Sequence, residues 1–130
     1  MRIAIIEDEA LVAMEIEMHL QDAGHIVVGI ADTLADAVAL AERERPELAL
    51  VDIQLSAGSN GLDVARAFNA LDIVCLFATG NCPGADHDHA VGCLHKPYSG
   101  PQLLKAIGTA EAAAKGLRPQ NIPSVMHLFQ

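Results

Sequence analysis

With 130 residues, the chain is long enough for one domain with a proper core and too short for two. Hydrophobic residues make up 52% but aromatics only 3%, so that core must be built from Ala, Val, Leu and Ile. The formal net charge is −9, and the 8 Lys and Arg form no basic cluster, which excludes a nucleic-acid footprint able to neutralise a row of phosphates.

Met1-Arg2 leads straight into Ile3-Ala4-Ile5-Ile6 and then acids, an apolar stretch too short for a signal-peptide core. No run reaches membrane-spanning length, so the expected location is cytoplasmic, with no membrane partner. Cys75, Cys82 and Cys93 are odd in number and lack CxxC spacing, which predicts free thiols in a reducing compartment.

In chain order, Arg2–Ile6 reads as a buried strand ending in Glu7-Asp8-Glu9. Helical spacing begins at Ala10, with Leu11, Met14, Met18 and Leu20 as the apolar stripe and Gly24 as the C-cap. His25–Ala31 is a second strand, and Asp32 or Thr33 caps a helix to about Arg45 that buries Leu34, Val38 and Ala41. Leu48–Gln54 is a short apolar run between Arg45-Pro46 and Ser56-Ala57-Gly58-Ser59, which predicts a strand of a parallel sheet buried on both faces. Leu62–Ala70 resumes a helical pattern through Leu62, Ala65 and Phe68, and Ile73–Ala78 is a fourth strand followed by Thr79-Gly80-Asn81. Asn81–His89 supports at best a short, loose helix, because Pro83-Gly84 and four polar residues interrupt it. Val91–His95 is a fifth strand ending at Lys96-Pro97, and Pro101 opens a last helix to about Lys115 with Leu103, Leu104 and Ile107 inward. Alternation of this kind means βαβ units in a parallel sheet with helices on both faces.

In such sheets functional groups gather at the carboxyl ends of the strands. Here those ends carry Glu7-Asp8, Asp52, Thr79 and Lys96. Alone, Asp52 reads better as a turn cap, Glu7 and Asp8 as helix-dipole acids, and Lys96 as a solvated charge. Together they have a physical job. Three clustered carboxylates need a cation, and hard oxygen ligands suit Mg²⁺. A carboxylate can itself attack a phosphoryl group, with an ammonium and a hydroxyl placed to meet the charge.

At these residues the chain resembles the receiver domain of two-component response regulators, through Glu7-Asp8, Val51-Asp52-Ile53, Thr79-Gly80 and Lys96-Pro97 over about Arg2 to Lys115. The resemblance implies a flavodoxin-like (βα)5 doubly wound parallel sheet, strand order 2-1-3-4-5, spanning residues 1–115. It implies that Asp52 is the phosphoacceptor for a sensor histidine kinase or phosphotransfer protein. It further implies that Glu7, Asp8, Asp52 and the Gln54 backbone carbonyl surround Mg²⁺, that Thr79 is the switch residue that follows the phosphoryl group, and that Lys96, before a cis Lys96-Pro97 bond, is the conserved-type ion partner of the site. Phe77-Ala78-Thr79-Gly80 is similar to the motif of the FAT GUY regulators, often stand-alone receivers, although Asn81-Cys82 replaces the Tyr that usually follows. Most receivers carry an aromatic three residues before the Lys; Cys93 holds that place here. The expected function is a single-domain regulator that signals to a downstream protein partner, with the partner surface over about Asp86–Ala112, and that is not an enzyme beyond its own phosphorylation and slow dephosphorylation. Ordering of Asn81–Val91 on phosphorylation is the expected readout.

Two other readings stand beside it. A small Mg²⁺-dependent phosphohydrolase would use the same aspartyl phosphate, but Gln54 occupies the position where its second Asp would act as acid–base. A soft-metal site from Cys82, His87, His89, Cys93 and His95 matches no strong zinc spacing. Residues 116–130, with Pro119, Pro123 and the strip Val125–Phe129, form a tail that is either disordered or docked as an apolar strip.

Overall fold

Short continuous apolar runs become strands and period-3.6 stripes become helices in a fixed alternation. The order is β1 (Arg2–Ile6), α1 (Ala10–Asp22), β2 (Ile26–Ala31), α2 (Leu34–Glu44), β3 (Leu48–Val51) and α3 (Gly61–Ala70), then β4 (Val74–Thr79), β5 (Gly92–His95), α4 (Gly100–Ala114) and β6 (Met126–Leu128). The computed structural model of the chain describes residues 1–84 and 89–129. The loose helix expected over Asn81–His89, and the start of the expected partner surface at Asp86, fall partly outside the described residues. Among the described residues no helix joins β4 to β5.

The sheet runs β2-β1-β3-β4-β5-β6. Its first five strands are parallel in the flavodoxin-like order 2-1-3-4-5, and β6 adds to the β5 edge antiparallel. The register aligns Ile6 with Val51, Val51 with Phe77, and Phe77 with Cys93. The residues that follow these positions therefore emerge along one edge.

Side chains alternate across the pleat into two cores. Ile3, Ile5, Leu48, Leu50, Leu76 and Leu94 pack under α1 and α4, and Ala4, Ile6, Val51, Phe77 and Cys93 pack under α2 and α3. All four β3 residues are buried, so the predicted double-faced strand is central, and Leu50→Ala there would cost about 2–5 kcal/mol. Helix starts follow local chemistry: Thr33 Oγ1 accepts the Asp36 N–H at 3.2 Å, Asn60 Oδ1 accepts the Leu62 N–H at 2.7 Å, and Ser99 with Gln102 forms a capping box. α1 ends in a Schellman motif: the Gly24 N–H donates to the Gln21 carbonyl, the His25 N–H donates to the Leu20 carbonyl, and Gly24 has φ +91°.

Three expectations are corrected. α1 buries Ala13, Ile16 and Leu20, while Leu11 (82% exposed), Met14 and Met18 face outward. Both triplets have helical spacing, and the sheet takes the one whose smaller Ala13 and branched Ile16 allow closer approach. The buried stripes of α2 and α3 are likewise rotated, to Ala37, Leu40 and Ala41 and to Val64, Ala65 and Phe68. Finally, the cysteines are not all free: Cys82 and Cys93 form a disulfide, and Cys75 alone remains a thiol, pushed up to about 12 by burial. Cys82 follows β4 and Cys93 lies in β5, and the fold brings together these two cysteines separated by 11 in sequence, a proximity that no spacing motif encodes.

Candidate functional site

At the carboxyl edge, the ladders continue one residue beyond the strands. The Glu7 N–H donates to the Ala31 carbonyl at 2.9 Å, the Asp52 N–H to the Ile6 carbonyl at 2.8 Å, and the Lys96 N–H to the Thr79 carbonyl at 2.9 Å. The backbone thus fixes where each functional side chain starts. Glu7 is 4% exposed, Asp52 7% and Thr79 2%, whereas Asp8 lies at the surface.

One carboxylate oxygen from each of Glu7, Asp8 and Asp52 lies within 4.8 Å of the others. Lys96, which precedes a cis peptide bond to Pro97, spans two of them: Nζ donates to Glu7 Oε1 at 2.8 Å and to Asp52 Oδ2 at 2.9 Å. The Gln54 N–H closes on Asp52 Oδ1 at 3.2 Å, and the Glu9 N–H on Glu7 Oε2 at 3.2 Å.

Burial raises Glu7 to about 7; the hydrogen bonds from Lys96 and Glu9 oppose the shift, and the nearby Asp52 charge adds to it. For Lys96, burial alone would lower the pKa, but the hydrogen bonds to Glu7 and Asp52 outweigh it and hold the ammonium above its usual range. Three carboxylates against one ammonium leave two negative charges when all are ionised, on oxygen donors that open to solvent through Asp8. That donor set and charge fit a hard divalent cation such as Mg²⁺. Among the described residues this is the one cluster of metal-ligating type. The disulfide of Cys82 and Cys93 removes both thiolates from the soft-metal set, and His95 packs its ring against His127 at 5.3 Å; His87 lies outside the described residues.

Thr79 ends β4, beside the strand that delivers Asp52, and is buried there. Some contributors were invisible in the sequence. A Cβ on Gly61 would strike the Asp52 carbonyl oxygen and come within 2.7 Å of Ile53 Cα, so only glycine lets α3 start against the backbone that carries Asp52. Tyr98 stands beside Lys96 with its hydroxyl buried and no hydrogen-bond partner among the described residues, and burial raises it to about 12. Phe129, two residues beyond His127 in register with Cys93, sets its ring edge-on to Phe77 at 6.2 Å. The apolar strip Val125–Phe129 was its only sequence signal.

Residues 3–108 match the response regulator receiver domain family. The chain is 44% identical over 79 residues to the phyllosphere-induced regulator PhyR of Methylorubrum extorquens, which covers 59% of this chain and 30% of that protein. It is 30% identical over 115 residues to the transcriptional regulatory protein PdtaR of Mycobacterium tuberculosis, covering 84% of this chain and 56% of that one. It thus spans less than two thirds of either relative. Among solved structures it is similar to the anti-anti-sigma factor PhyR from Bartonella quintana, with a TM-score of 0.69 and 32% identity over 88% of this chain and 50% of that one. The site at the strand ends and the match over residues 3–108 lead to one assignment: the chain belongs to the response regulator receiver domain family.

Proposed function

We propose that the chain is phosphorylated on Asp52 by the phosphohistidine of a sensor kinase or phosphotransfer protein, and signals by binding a downstream protein. A carboxylate oxygen of Asp52 attacks phosphorus, the N–P bond breaks, and an acyl phosphate forms as the histidine leaves with the bonding pair. Lys96 aims the Asp52 carboxylate through its 2.9 Å contact, then meets the incoming negative charge with its ammonium. The Thr79 hydroxyl donates to a phosphoryl oxygen. Glu7, Asp8, Asp52 and the Gln54 backbone carbonyl would hold Mg²⁺, which when bound shields charge on the phosphoryl oxygens.

The observation that carries this reading is the buried Asp52 carboxylate held at 2.9 Å by Lys96 and flanked by two further acids. The net charge of −9 favours protein rather than nucleic acid as the output partner. The exposed α1 stripe Leu11, Met14 and Met18, next to the edge that bears Asp52, suits docking of the phosphodonor's helices.

Incubation with acetyl phosphate and Mg²⁺ should label the chain once and stably for seconds or more, and Asp52→Asn should abolish labelling. Fast multiple turnover of phosphate esters would instead establish the hydrolase reading, and label retained by the variant would refute Asp52 as acceptor.

A further inference from the structure

On the α2/α3 side of the sheet, the last strands carry Phe77 and Thr79 on β4, Cys93 and His95 on β5, and His127 and Phe129 at β6. Among the described residues, what covers this corner is the Cys82–Cys93 bond and the Phe129 ring rather than a helix.

Cys82 is the third residue after Thr79 and is half-buried, while Cys93 is fully buried. Their Cα atoms are 6.1 Å apart, within the span that a disulfide bridges. Cys75 is a bystander on β4, its Sγ directed to the Ile73 carbonyl at 3.8 Å. The bond ties the backbone that follows Thr79 to β5. It also sits beside β6 in the ladder, because Cys93 pairs with His127, and the Phe129 N–H donates to the Val91 carbonyl at 2.9 Å. A domain with two full cores does not need a staple to fold. The pair therefore has another use.

We propose that Cys82 and Cys93 are a reversible dithiol–disulfide site that locks residues 80–82, and β6 with them, when oxidised and frees both when reduced. Its oxidant class is a disulfide, either glutathione disulfide or an oxidised thioredoxin-type protein. The more exposed Cys82 thiolate attacks one sulfur of that disulfide and expels a thiolate. The Cys93 thiolate then attacks Cys82 Sγ and expels the second. Two protein thiols become one disulfide, and the oxidant is reduced to two thiols. The link from this lock to signalling rests on the proposed role of Asp52; the lock itself does not.

The full 130-residue chain, equilibrated in glutathione redox buffers and alkylated under denaturing conditions, should show one transition in which two alkylation sites, mapped to Cys82 and Cys93, are lost together. Cys75 should stay alkylated throughout. Pairing through Cys75, or both thiols still alkylated in excess glutathione disulfide, would overturn the assignment. Amide exchange of residues 125–129 and 80–82 should be about tenfold faster in the reduced chain, and Cys82→Ser should match the reduced chain in either buffer. Equal exchange in both redox forms would overturn the lock. With beryllofluoride and Mg²⁺, the reduced chain should respond in these segments more than the oxidised one, and equal responses would overturn gating. No response at the Asp52 peptide in either form would refute the phosphoacceptor reading and leave the redox transition and exchange difference standing as support for the lock.

Discussion

Glu7 is a buried carboxylate that the folded chain is reluctant to ionise, and Glu7→Gln removes that reluctance. In the metal-free protein its pKa rises from 4.5 to about 7, with burial as the main cause. At 1.36 kcal/mol per pH unit, this difference makes ionised Glu7 cost the folded state about 3 kcal/mol. The sign follows from linkage. Because the folded chain binds the proton more tightly, the contribution is complete below pH 4.5 and is lost as pH rises through about 7. Urea denaturation in chelator should therefore show stability falling by about 2–3 kcal/mol between pH 5 and pH 8, relative to Glu7→Gln. His25, lowered chiefly by burial, works in the opposite direction, but it is present in both chains and cancels in the difference. Mg²⁺ at about a hundred times its dissociation constant should restore about 2.7 kcal/mol at pH 8. Identical pH slopes for the two chains would refute the argument that burial at the end of β1 dominates this site.

Lys96→Met strips the ammonium from two carboxylates and should cost about 3–5 kcal/mol without metal, with Mg²⁺ recovering much of it; thermal melts with and without Mg²⁺ measure both. Gly92→Ala would place a Cβ 2.6 Å from the His127 carbonyl oxygen, so β6 should lose its protection from amide exchange while Asp52 still accepts phosphate from acetyl phosphate. Met14→Glu puts charge into the exposed α1 stripe and should slow phosphotransfer from the cognate kinase by about tenfold, leaving acetyl phosphate labelling unchanged.

Leu48–Val51 was readable because a strand buried on both faces leaves an unbroken apolar run, and little else of that length between breakers does. Glu7, Asp8, Asp52 and Lys96 converge because parallel strands share one carboxyl edge, so topology alone turns separation in sequence into proximity. The inward face of α1 was not readable in the same way. Leu11-Met14-Met18 and Ala13-Ile16-Leu20 have the same spacing, and only the packing distance to the sheet decides between them. Cys82 with Cys93, and Phe129 with Phe77, depend on a backbone reversal and on a strand added from the far end of the chain, which local periodicity does not encode.

β6 also decides how the sheet meets other molecules. A five-stranded parallel sheet has two unpaired rims of N–H and carbonyl groups; here β6 covers the one at β5 and moves that edge to a strand of three residues, while the six-residue β2 forms the other edge. That remaining rim carries Ile26 and Ile30, 58% and 41% exposed, with no charged residue between them. β2 is thus the longer edge open to backbone pairing, on the opposite side of the sheet from Cys93 and Phe129.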